Sequence, residues 1–241
     1  MSFVRSLRIR WNRAVDHFVH SENARMIGLA TLVGVVTGLG AVVFRWLIAF
    51  FRDFFFSGGE SALGFMGEYY VILLPAGGGL LVGLIVYYFA REAKGHGVPE
   101  VMEAVAWRGG RIKPRVAIAK SLASSICIGS GGSVGREGPI VQIGSALGST
   151  IGQYLKLSDR RVKHLVACGA AAGIGATFNT PIAGVIFALE VIVGEFAVET
   201  FGTVVLASVS ATALGHFFFG DIPGFEVPAY SLVSYWELIF Y

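Results

Sequence analysis

Long apolar runs dominate the chain, at about residues 26 to 50, 71 to 90, 165 to 193 and 202 to 219. Each is long enough to cross a bilayer as a helix, which takes roughly 17 to 25 residues. Two further segments, about 115 to 134 and 139 to 155, are also apolar, but glycine, proline and a charged pair interrupt them. Broken helices at membrane depth are tolerated only where the freed backbone lies against protein or lines a cavity. The pattern predicts an all-α polytopic membrane protein with broken and re-entrant helices.

The first residues follow a different pattern. Val4, Leu7, Trp11, Val15 and Phe18 recur at helical spacing, while Arg5, Arg8 and Arg13 fall largely off that stripe. This predicts an amphipathic helix over residues 1–22 lying in the interface, ahead of a membrane domain over 23–241. The segment has no apolar h-region and no small-residue cleavage site, so a secretory signal peptide is not expected. Its basic residues place the N-terminus in the cytoplasm. Arg91, Lys94, Arg108, Arg111, Lys113 and Arg115 crowd the connection after the second span, whereas Asp53, Glu60 and Glu68 lie before it. That asymmetry fits the same orientation in a plasma (inner) membrane.

Composition agrees: 54% of the 241 residues are hydrophobic and 15% charged, and mean hydropathy is +0.68, which excludes an ordinary soluble domain. No nucleic-acid partner is expected. Gly34 and Gly38, then Gly144, Gly148 and Gly152, recur every four residues, a spacing for close helix packing. Cys127 and Cys168 sit inside apolar segments, and His17 and His20 lack a carboxylate or cysteine companion. Neither a disulfide framework nor a metal site or other cofactor is expected. The last stretch, "YSLVSYWELIFY", begins an apolar run that it does not complete, so the chain is expected to be part of a longer membrane domain.

Two motifs carry the chemistry. "GHGVPE" (Gly95 to Glu100) and "GREGP" (Gly135 to Pro139) each follow a glycine-rich or apolar stretch and place proline at the start of a helical run. Proline in a first turn loses no helix hydrogen bond, so each motif reads as a helix N-terminus. Such an end has unpartnered N–H groups and roughly half a positive elementary charge, which suits an anion. Two of them replace part of an anion's hydration without trapping it on a full charge. Glu137 costs about 2.5 to 3.5 kcal/mol at the centre of an isolated membrane helix, a cost a plain structural loop has no reason to bear. Ionised, it takes the anion's place; protonated or displaced, it vacates it, which makes it a gate. Arg136 either attracts anions directly, or pairs with a carboxylate or reaches the interface. Neither motif has the Gly-Lys-Ser/Thr ending of a phosphate loop.

These motifs resemble the CLC family of chloride channels and proton/chloride exchangers. "GHGVPE" is similar to that family's Gly-Ser-Gly-Ile-Pro-Glu, "GREGPIVQIG" to its Gly-Lys/Arg-Glu-Gly-Pro signature, and "GAAAGIGATFNTPIAGVIFALE" (Gly169 to Glu190) to the helix pair that follows. The resemblance implies an inverted-repeat fold of which this chain holds the first repeat, the N-terminal half of the transmembrane domain. It also implies one anion pathway per subunit and a homodimer, with chloride or other small anions as cargo. The implied anion-binding set is Gly95, His96, Gly97, Val98, Arg136, Glu137 and Gly138, with Glu137 as the external gate.

Three departures stand out. His96 replaces the family's serine, which bears on selectivity and pH response. Val191 occupies the position of the exchangers' inner proton-port glutamate, and valine cannot titrate. The family's second half, with its Gly-x-Phe-x-Pro motif, is absent. The expectation is therefore a voltage- or pH-gated chloride channel rather than an enzyme, with a proton-coupled chloride antiporter of the same fold as the alternative. A fluoride exporter fits less well, because its motifs depart further from Gly-Arg-Glu-Gly-Pro. An intramembrane hydrolase is a remote alternative, using Ser130 or Ser133 as nucleophile and His164 or His216 as base.

Overall fold

The computed structural model describes residues 22–89, 94–195 and 197–220. The arm expected over 1–22 lies outside them except for Glu22, as do His17, His20 and the terminal apolar run. Among the described residues all regular structure is helical. Helix α1 spans Glu22–Leu63 and leads through a 3₁₀ stretch, Gly64–Ile72, into α2, Leu73–Phe89. Then follow α3 (Val98–Trp107), α4 (Arg115–Gly129), α5 (Glu137–Tyr154) and α6 (Asp159–Phe178). A short α7 (Pro181–Phe187) runs into a π turn, Ala188–Val193, before α8 (Val198–Phe219).

Among the described residues, three helices are long and apolar enough to cross a membrane: Asn23–Ser61, Tyr69–Tyr88 and Thr200–Phe219. Helix α1 has 42 residues. At the α-helical rise it is about 63 Å long, twice the hydrocarbon thickness, so it must tilt or emerge. The run at 165 to 193, read above as one span, is a correction. It is broken between α6 and α7, where Asn179 takes a left-handed conformation with φ 58° and Pro181 opens the next helix. Asparagine tolerates that conformation, and proline cannot continue a helix from within, so the pair ends one helix and starts another. The π turn closes with the Gly194 N–H donating to the Leu189 carbonyl at 2.9 Å, an i to i−5 bond.

Small residues set how the helices meet. Gly144 packs on Gly169, Gly148 on Leu165 and Gly152 on Val162, while Gly173 packs on Ile140, so α5 and α6 run antiparallel. A methyl at Gly173 would come within 2.8 Å of the Ile140 carbonyl oxygen. Gly34 meets Ala207 and Gly38 meets Ala211, a constant offset that makes α1 and α8 parallel. Lipid tails are as apolar as leucine, so association there depends on such van der Waals fit and on interhelical hydrogen bonds. Ser208 Oγ supplies one of these, donating to the Pro181 carbonyl at 3.0 Å. Helix α6 is central, packed by α1, α5, α7 and α8, and its Val162, Leu165, Val166 and Cys168 are completely buried.

The loop from α3 to α4 is fastened to α5. Ser149 Oγ donates to the Gly110 carbonyl at 2.6 Å and accepts from the Ile112 N–H at 2.9 Å. Gln153 Nε2 donates to the Ile112 carbonyl at 2.8 Å. Arg111 reaches Asp159 at 2.9 Å. The C-terminal end of α3 is thereby tied to α5 and to the start of α6, which aims its N-terminal end.

Candidate anion-binding site

Helix α3 begins at "GHGVPE" and α5 at "GREGP", as the proline and glycine punctuation predicts. Gly95 and Gly97 hold φ of 106° and 107°, in the region that favours glycine. Gly97 also donates its N–H to Glu100 Oε2 at 2.7 Å, which closes the first turn. Its own amide is therefore engaged, and Val98 supplies the next N–H without an intrahelical acceptor. At α5, Arg136 is the N-cap and its carbonyl accepts from the Ile140 N–H at 3.1 Å. Pro139 has no N–H, so Glu137 and Gly138 present the donors of that end.

The two ends touch. A methyl at Gly97 would collide with the Gly138 carbonyl, and one at Gly138 with the His96 carbonyl. Only glycine at both positions lets the backbones approach this closely. His96, Val98, Glu137 and Gly138 line one cavity of about 1000 Å³. His96 and Glu137 are both exposed toward it. The Glu137 carboxylate lies against Gly135.

Arg136 faces another way. Its guanidinium carbon stands 4.9 Å from the centroid of the buried Phe178 ring, a cation–π contact. With Arg45 and Arg52 it lines a smaller cavity of about 380 Å³. Glu137 lines this cavity as well as the larger one, so its side chain stands between the two.

Sequence reasoning missed Lys120. It is 4% exposed on α4, and its Nζ donates to the Gly95 carbonyl at 2.7 Å. A lysine in the interrupted apolar segment was the available signal, because an ionisable side chain there needs a partner. It pins the loop that carries His96 and brings a cationic group to the large cavity.

Val191 sits half-buried in the π turn, which packs against α3. The hydrolase reading finds no support in the contacts. Ser130 Oγ donates to the Cys127 carbonyl, His164 pairs with Thr203, and His216 pairs with Asn179. Cys127 and Cys168 are free thiols, and no cluster of metal-ligating side chains occurs among the described residues.

Residues 78–241 match the sequence profile of the family described as voltage gated chloride channel. The chain is also 33% identical over 224 residues to a ClcB-like chloride channel protein of Ralstonia nicotianae, covering 90% of this chain and 52% of the relative. The chain belongs to the CLC family. Another CLC relative, the H⁺/Cl⁻ exchange transporter ClcA of Vibrio vulnificus, is 33% identical over 186 residues, 73% of this chain and 39% of the relative. The fold matches the crystal structure of a slow cyanobacterial Cl⁻/H⁺ antiporter with a TM-score of 0.73 at 22% identity, over 90% of this chain and 52% of that one. The chain thus spans about half the length of the first of these relatives or less. It has the helical membrane architecture of CLC proteins.

Proposed function

We propose that this chain is the first half of the membrane domain of a proton-coupled chloride antiporter, with Glu137 as the group that both gates the anion path and carries the proton. The observation that supports it most is the contact of the α3 and α5 ends beside a carboxylate exposed to the same cavity. Each end carries about half a positive charge and unpartnered amides, enough to replace part of a chloride's hydration without holding the ion irreversibly. Gly95, His96, Gly97, Val98, Arg136, Glu137 and Gly138 form the anion-binding set, the amides of Val98, Glu137 and Gly138 being the donors in direct reach. Lys120 holds the Gly95 end of the set in place.

Exchange is preferred over the channel expected from sequence because relatives at 33% identity include a named proton/chloride exchanger. The cyanobacterial antiporter supplies the shared fold. Passive conduction is the second reading, favoured by Val191, which cannot relay a proton. A second half, a partner subunit forming a homodimer, a plasma-membrane location and a cytoplasmic N-terminus complete the proposal. The deciding experiment measures the reversal potential of the complete transporter in a lipid bilayer across a pH gradient. Exchange shifts it away from the chloride equilibrium potential; a reversal potential that ignores the pH gradient leaves a channel.

A further inference from the structure

An antiporter needs a route by which protons reach Glu137. The cavity that Glu137 faces is lined by titratable groups from several elements: Tyr87 of α2, Lys94 and His96 ahead of α3, and Lys120 and the free thiol Cys127 of α4. Glu100 lies behind the same loop, accepting from the Gly97 N–H. Lys120 is already engaged with the Gly95 carbonyl. Histidine is the residue type among these suited to passing a proton on, because one ring nitrogen accepts while the other donates. The backbone brings His96 and Glu137 together, since the His96 carbonyl and Gly97 both abut Gly138, the residue after Glu137.

We propose that His96 is the proton relay to Glu137, an inference that rests on the antiporter reading. The neutral imidazole takes a proton from a hydronium ion in the cavity on one ring nitrogen, leaving water, and becomes imidazolium. It then gives a proton, through water in the cavity, to the ionised Glu137 carboxylate. The carboxylate becomes a neutral acid and the imidazole returns to its neutral form, so one proton has moved and no charge is left over. The surroundings tune the step. Lys94 and Lys120 oppose the imidazolium, whereas Glu100, ionised Glu137 and an anion at the helix ends favour it. Anion binding and proton loading therefore assist each other, and by linkage each raises the affinity for the other.

The test uses the complete transporter in liposomes, with proton and chloride fluxes recorded together for wild type, His96→Gln, His96→Ala and Glu137→Gln. A positioned proton-transfer group contributes on the order of a hundredfold or more. Both His96 variants should lower the proton-to-chloride flux ratio by about that factor, whatever the absolute chloride rate becomes. Millimolar imidazole should restore the ratio in His96→Ala, an effect that a purely structural role would not produce. A wild-type ratio in His96→Gln, with the ratio abolished in Glu137→Gln, overturns the relay and leaves the antiporter reading standing. A wild-type protein that moves no protons overturns both.

Discussion

The contact between the two helix ends makes Gly138→Ala the most direct probe of the site. The added methyl would lie 3.1 Å from the carbonyl carbon of His96 and closer still to its oxygen. The contact with the oxygen is the tighter one, and relieving it to an ordinary van der Waals distance separates the ends by roughly 1 to 1.5 Å. Half a charge at about 4 Å from a monovalent anion contributes about 2 kcal/mol at an effective dielectric of 20, and about 1.5 kcal/mol at 5.5 Å. Retreat of one end therefore weakens chloride binding by about 0.5 kcal/mol, roughly 2.5-fold. Shared equally between the two ends, the same separation costs about 0.65 kcal/mol, roughly threefold. Calorimetric titration of the complete transporter with chloride reads this change directly. Gly28→Ala is the control, because no atom lies within 4 Å of the methyl it adds. It should leave chloride affinity unchanged. A folded Gly138→Ala protein with wild-type affinity would refute the idea that the two ends share an ion.

Other substitutions test neighbouring parts of the argument. Glu137→Gln should remove the proton dependence of transport while anion flux persists or rises; pH dependence retained in flux assays would show that Glu137 is not the gate. Lys120→Met deletes the donor to the Gly95 carbonyl and a buried cationic group. Chloride affinity should fall about tenfold, the scale of one charged hydrogen bond, as read by the same calorimetry. Gly144→Val forces side-chain atoms against the Gly169 backbone in the α5/α6 seam. It should cost about 1 to 3 kcal/mol or more, seen as a lower melting temperature in detergent.

The two helix starts were legible in the sequence because their signals are local. Glycines that need positive φ and prolines in a first turn sit beside each other in "GHGVPE", and "GREGP" repeats the proline signal. The packing glycines were legible for a related reason, since a four-residue spacing fixes one helix face without knowledge of its partner. The break at Asn179 was not legible from apolar length, which made one span of 165 to 193; only the resemblance of Gly169 to Glu190 to a helix pair pointed to it. Lys120 was hidden more deeply. Its partner is a backbone carbonyl 25 residues away, which no pattern in α4 announces. The direction of Arg136 depends likewise on the Phe178 ring, supplied by another helix.

Charge balance at the site explains why a carboxylate belongs there. Two helix ends together amount to about one positive charge, and the Lys120 ammonium adds another behind the Gly95 carbonyl. An ionised Glu137 cancels about one of these, and the remainder is too weak to draw a chloride out of water and hold it alongside the carboxylate. On the proposed function, protonation of Glu137 would uncover the positive field of the helix ends, so that the anion and the carboxylate would compete for one place. That competition needs the ends close enough to act on the same ion, and the glycine contact at Gly97 and Gly138 enforces this. Bulk at either glycine and charge at residue 137 should therefore act on different quantities. The first lowers the affinity for anion at every pH, whereas the second changes how affinity depends on pH.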